Sequence, residues 1–180
     1  MRVALTGASS TGKTTLAQAF LAEGPPIALI NVDARAILDD LQVRSTARMS
    51  AETYARFQRR YVATKLCNER RRDGYLTERS FVDSFAYWQV HCSSAVSEPA
   101  NDQLHRICRD FAQRYDAHLF MPYGVVPHND DGYRHPDPNY HHEISERIHA
   151  LLEAWNLSYV VLSSPALPDR LAALRGAFRL

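Results

Sequence analysis

Short apolar runs alternate with stretches of helical spacing along this chain. Residues 3–6 are apolar and lead into a Gly-bearing turn, after which Leu16, Ala19 and Phe20 share a helical face stopped by Gly24, Pro25 and Pro26. Residues 27–32 form a near-continuous apolar run, the pattern of a parallel strand covered on both faces, with Asp33 at its carboxyl end. Ser50 stands where it can cap a helix bearing Tyr54, Phe57, Tyr61 and Leu66 on one face. Residues 75–77 predict a third strand, followed by the polar triplet Glu78, Arg79 and Ser80 and a helix over 81–92. Leu104, Ile107, Cys108, Phe111 and Tyr115 mark a further amphipathic helix, and residues 118–123 a fourth strand.

Residues 126–140 carry three prolines and one glycine, too many turn formers for a regular element and enough length for a mobile lid. Helical spacing resumes with Ile144, Ile148, Leu151, Leu152 and Trp155; residues 159–162 read as a fifth strand, and Leu171, Leu174 and Phe178 suit a closing helix. Strands alternating with helices imply an α/β fold in three layers, a parallel sheet of five strands sandwiched by helices. We expect residues 1–180 to form a single domain, with no internal repeat.

Composition narrows the function. Hydrophobic residues make up 46% of the chain and charged residues 23%, with 21 basic against 20 acidic side chains, which excludes wholesale disorder and binding to nucleic acid by bulk charge. Only Lys13 and Lys65 among the basic residues are lysines. Cys67, Cys92 and Cys108 lack paired C-x-x-C spacing, and a reduced, cytoplasmic chain is the simplest expectation, with Cys67 and Cys108 as buried small apolar side chains. No apolar run has the length of a membrane span. The N-terminal apolar run leads directly into a motif the protein needs, so we expect it to be retained.

That motif is Gly7-Ala8-Ser9-Ser10-Thr11-Gly12-Lys13-Thr14, a full match to G-x-x-x-x-G-K-[ST] between a predicted strand and a predicted helix. Backbone N–H groups from Gly7 through Ser9, Ser10, Thr11, Gly12, Thr14 and Thr15 are positioned to cradle phosphate, the helix start presents its positive dipole end, Lys13 reaches the terminal phosphates, and Thr14 can ligate Mg2+. Neither lysine lies in an N-K-x-D guanine motif, which sets aside a GTPase. The length leaves no room for the extra helical domain of a ring-forming ATPase, and a kinase remains.

Beyond the loop, Glu78-Arg79-Ser80 with Asp83, Ala86 and Tyr87, and Asp131-Gly132-Tyr133-Arg134 before a late helix, resemble the P-loop kinases of nucleosides and nucleotides. The nearest branch contains nicotinamide riboside kinase domains, and the triplet resembles the E-R-S of deoxynucleoside kinases. The resemblance implies strand order 2-3-1-4-5, ATP and Mg2+ as cofactors, and a hydroxyl-bearing nucleoside-like or nucleotide-like acceptor. It places Glu78 in the metal region, Arg79 on phosphate and the catalytic carboxylate, and Asp33 as general base. Phosphoryl transfer needs phosphate positioning, a metal, an oriented hydroxyl and cations on the transferring group, and Lys13, Thr14, Asp33, Glu78 and Arg134 offer a candidate for each need.

Each assignment has a plainer counterpart. Asp33 fits a helix cap over 34–41 as well as a base, Glu78 and Arg79 fit a surface ion pair, and Asp83 fits substrate contact or helix-start electrostatics equally. Arg134 fits either a lid cation that closes over nucleotide or a solvated loop residue. His128, His135, His141 and His142 have no cysteine partners and no H-E-x-x-H spacing, so we read them as polar lid residues. Two other functions stay open: a kinase acting on a hydroxylated modified base in DNA, which would give Arg56, Arg59, Arg60 and Arg70 to Arg72 a purpose, and a nucleotide-gated interaction module without turnover.

Overall fold

The structure is a computed structural model, and it describes residues 1–43, 46, 49–92, 94–128 and 135–179. Five parallel strands stand in the order β2-β3-β1-β4-β5: β1 (Arg2–Thr6), β2 (Leu29–Ile30), β3 (Tyr75–Glu78), β4 (Ala117–Phe120) and β5 (Tyr159–Val161). The helices among the described residues are α1 (Lys13–Ala22), α2 (Ala34–Asp40), α3 (Ala51–Glu69), α4 (Phe81–His91), α5 (Glu98–Ala112), α6 (Pro138–Ala154) and α7 (Leu167–Phe178).

The alternation of side chains along β1 divides the core into two layers. Val3 and Leu5 pack with Leu16 and Phe20 of α1 and Leu174 and Phe178 of α7, where the Phe20 and Phe178 rings stack at 5.5 Å. Ala4, between them, faces the larger layer with Phe57 and Tyr61 of α3, Phe81 and Trp88 of α4, Cys108 of α5 and Ile148 of α6. Register sets the depth of the site: Leu5 lies opposite Glu78 and Thr6 opposite Phe120, so the carboxyl ends of β1, β3 and β4 finish side by side. Ligands of open parallel sheets bind at that edge.

Several boundaries differ from the sequence expectation. The run 27–32 yields only the two residues of β2, because it is an edge strand after a double proline and pairs only with Leu76 and Thr77. Pro138 to Tyr140 belong to the first turn of α6, not to the insert; Asp137 caps that helix through Asn139 N–H, and proline is well suited to its first position. Cys92 and Cys108 are buried, but Cys67 is exposed. At the end of α3 the inward face instead falls on Val62, Lys65 and Glu69.

That charged pair lies inside the core. Lys65, 1% exposed, sits 2.6 Å from Glu69 and donates to the Thr77 hydroxyl at 2.8 Å. Glu69 also accepts from the hydroxyls of Tyr75 at 3.0 Å and Tyr115 at 2.8 Å. The network fastens α3 to β3 one residue before Glu78. Among the described residues no helix is long and apolar enough to cross a membrane.

Candidate nucleotide and acceptor site

The P-loop leaves β1 and enters α1 through two glycines that no other residue could replace without strain. Gly7 has φ 149°, and a Cβ there would lie 2.4 Å from the Met121 carbonyl oxygen. Gly12, with φ 85°, stands against the Arg170 guanidinium, whose Nη1 would be 3.1 Å from an added Cβ. The Lys13 ammonium turns back over the loop and donates to the carbonyls of Gly7 at 2.8 Å and Ala8 at 2.5 Å and to the Thr11 hydroxyl at 3.0 Å. A flexible cation is thereby held against the segment that cradles phosphate.

Thr14 and Glu78, the two candidates for the metal region, lie in contact. The Thr14 hydroxyl donates to Glu78 Oε2 at 2.6 Å, joining the first turn of α1 to the end of β3. A hydroxyl and a carboxylate in contact form the hard-oxygen donor set that Mg2+ takes, so these two residues fit the ion. Arg79 follows in the left-handed region (φ 65°), unusual for a residue with a side chain. Its amide still bonds the Leu5 carbonyl at 2.8 Å before the chain turns off the sheet, and its guanidinium reaches the Ser9 hydroxyl at 2.9 Å over the Tyr87 ring. Tyr87 completes the contact by accepting from Ser9 N–H at 3.2 Å.

Asp83 borders the cleft, but both of its carboxylate oxygens are engaged by donors of the fold. It is 1% exposed; one oxygen accepts from Gly7 N–H at 2.8 Å, and the other accepts from Ser80 N–H at 2.7 Å, the Ser80 hydroxyl and the Thr6 hydroxyl. The helix-start alternative therefore describes Asp83 better than substrate contact: it closes a capping box at α4 and holds the entry to the P-loop. Asp33 is a cap as well, accepting from Ala36 N–H at 3.0 Å through Oδ1, yet it is exposed and lines the cleft. Arg134 lies outside the described residues. Rings join the two ends of the insert: Tyr123 and His128 lie against His141 with ring centroids 5.2 and 5.1 Å apart, and His141 Nε2 meets the His135 carbonyl at 2.7 Å.

Lys13, Thr14, Asp33, Glu78, Arg79 and His141 border one cleft of about 920 Å³. Its far wall was not foreseen. Tyr54, Phe57, Gln58 and Tyr61 of α3, Tyr87 of α4 and Tyr140 of α6 line it, and Gln58 keeps a buried side-chain oxygen with no hydrogen-bond donor. Burial raises the Tyr54 and Tyr61 hydroxyls above the ordinary phenol range, so both remain neutral donors at any physiological pH. The helical spacing of Tyr54, Phe57 and Tyr61 signals a buried face; nothing in it separates core packing from a ligand wall.

The AAA domain family matches residues 2–170, nearly the whole chain. The chain belongs to this family. No curated protein matches its sequence. Among solved structures, this AAA-domain chain is similar to deoxyadenosine kinase from M. mycoides with bound dATP, at a TM-score of 0.70 and 8% identity over all of both chains. It is also similar to NadR in complex with NR (TM-score 0.68, 20% identity, 99% of this chain and 52% of that one) and to NadR in complex with NAD and AMP-PNP (0.67, 19%, 99% and 49%). The chain thus spans about half of each NadR chain. At these identities the likeness is one of fold: the AAA-domain chain has an α/β P-loop fold with the strand order that the resemblance implied.

Proposed function

We propose that the chain is an ATP- and Mg2+-dependent phosphotransferase acting on a hydroxyl of a small nucleoside-like substrate. The observation that carries this reading is a single cleft with phosphate-binding groups on one wall, Asp33 on its rim, and aromatic rings with an unpartnered amide oxygen on the other wall. A planar heterocycle bearing an N–H donor matches that second wall in shape and in chemistry. Solved structures of like fold support the same reading, one being a deoxyadenosine kinase and another NadR in complex with NR.

In this reading the P-loop N–H groups and Lys13 bind the polyphosphate, and Thr14 with Glu78 would hold Mg2+. The ion, when bound, neutralises charge on the transferring group. Asp33 keeps one oxygen on the helix cap and uses the other to orient and deprotonate the acceptor hydroxyl. Arg79, anchored on Ser9, keeps a positive charge beside the phosphate path. The insert is the lid, and Arg134 its cation toward the γ-phosphoryl group.

The DNA-base alternative has less in its favour. Arg60 is paired with Asp40 at 2.7 Å and Arg59 lies over the Trp88 ring, so two of the arginines that would have tracked a backbone are already engaged within the fold. ATP consumption against a panel of nucleosides, NR and DNA carrying a hydroxymethylated base tests the proposal. Turnover with a free nucleoside is the expected result. Tight ATP binding with no acceptor-dependent turnover across the panel would instead favour an interaction module.

A further inference from the structure

A second cation adjoins the P-loop, and it comes from the far end of the chain. Arg170 on α7 is 3% exposed. Its Nε donates to the Ser164 carbonyl at 2.7 Å, and its Nη1 donates to the Thr11 carbonyl inside the loop at 3.0 Å. Its Nη2 is closed off from solvent and, among the described residues, meets no acceptor. Among the described residues no carboxylate pairs with it; the neighbouring Asp169 instead accepts from the Ser164 hydroxyl at 2.6 Å. Burial accordingly pulls the guanidinium below its ordinary pKa.

A buried cation without a counter-charge is costly, and neutral carbonyl acceptors offset only part of that cost. Arg170 bears this cost against a loop whose backbone is built to receive an anion, and it lines the same cleft with Pro165 and Leu167. Lys13 is held at the Gly7–Ala8 end of the loop, and Arg170 is held at the Thr11–Gly12 end. We propose that Arg170 is a nucleotide-positioning residue: it braces the P-loop at Thr11 and supplies, through its unpartnered Nη2, the counter-charge to the polyphosphate of the bound nucleotide. A planar fork suits this double task because one edge holds the protein while the other meets a phosphate oxygen. The inference rests on the reading that a nucleotide occupies this cleft.

Binding of ATP, inorganic tripolyphosphate and adenosine to the full chain, measured by calorimetry with Arg170→Met and Arg170→Lys, tests it. Arg170→Met should weaken ATP and tripolyphosphate alike, by roughly 10- to 100-fold, the size of a lost charge-assisted hydrogen bond. Arg170→Lys should recover part of that loss, since it restores charge without the fork. Loss of ATP affinity with unchanged tripolyphosphate affinity would assign Arg170 to the base and overturn the phosphate contact. A lowered Tm with both affinities intact would reduce it to a brace and also overturn the proposal. If Arg170→Met does not fold, the Nε–H resonance of Arg170 in the wild-type chain should shift on titration with tripolyphosphate and stay fixed with adenosine; a fixed resonance in both overturns the proposal. Wild-type protein that binds neither ATP nor tripolyphosphate would remove the nucleotide reading itself, an outcome distinct from wild-type binding that Arg170 does not influence.

Discussion

The Thr14 hydroxyl donates to Glu78 across 2.6 Å, and so ties the start of α1 to the carboxyl end of β3. Both oxygens belong to groups that Mg2+ accepts as ligands. Glu78→Gln keeps the size and an oxygen acceptor but removes the charge. The Mg2+ concentration for half-maximal activity should rise roughly 10- to 100-fold, the range seen when a supporting carboxylate is lost from a metal site. Titration of activity with Mg2+ at saturating ATP is the measurement, and an unmoved midpoint would take Glu78 out of the metal region.

Asp33 caps α2 through one oxygen while lining the cleft, so cap and base can be separated by substitution. Asn caps helices about as well as Asp, and Asp33→Asn should therefore leave the Tm nearly unchanged. In the proposed mechanism it removes the proton acceptor, and kcat should fall roughly 10²- to 10⁴-fold with the ATP dissociation constant little altered. A normal kcat would confine Asp33 to its helix.

The buried pair Lys65 and Glu69 predicts a stability effect with no ligand involved. Lys65→Met fills most of the same volume but leaves Glu69 with two tyrosine donors and no cation, at 6% exposure. Breaking such a pair by removing one partner costs about 3–5 kcal/mol. Urea unfolding monitored by circular dichroism checks this. The double variant Lys65→Met with Glu69→Leu should regain much of the loss, because no unpaired charge remains.

Regular alternation made the five strands, their helices and the P-loop legible from the chain alone, since each depends on spacing within ten or so residues. Glu78 was legible for a related reason: a polar triplet directly after an apolar strand has to lie at the sheet's ligand edge. Lys65 and Glu69 were not, because charged residues on a helix normally mark its solvated face, and here they occupy the positions where the apolar stripe should continue. Gln58 was hidden in the same way, as one polar position among aromatic ones. Arg170 was beyond reach for a different reason. It meets Thr11 across 159 positions, and no local pattern records which helix of a three-layer fold returns to the P-loop. Asp83 shows the opposite case, in which a local rule, an acid three residues after a helix-capping serine, describes it better than the substrate contact that the sequence allows equally.

His118 predicts how the fold responds to acid. It lies within β4 at 1% exposure, with Nδ1 3.3 Å from the Ser158 carbonyl and Nε2 buried without a partner. Burial holds its pKa down to about 4, against a contrary pull from the Ser158 carbonyl and the Asp83 charge. His91, stacked on Tyr54 at 3.8 Å, is also lowered to about 4, chiefly by burial and then by the charge of His135. Both imidazoles are neutral in the fold at pH values where the unfolded chain, with ordinary pKa near 6.5, already takes up protons. The unfolded state therefore binds more protons between about pH 6.5 and 4, and stability falls as the pH drops through that window. Above pH 7 neither group should contribute any slope. His118→Met, which cannot be protonated, should remove roughly one proton's worth of the pH dependence of unfolding and leave that of His91. Chemical denaturation repeated from pH 7.5 down to 4.5 measures both slopes, and equal slopes in variant and wild type would mean that His118 does not stay neutral in the folded chain.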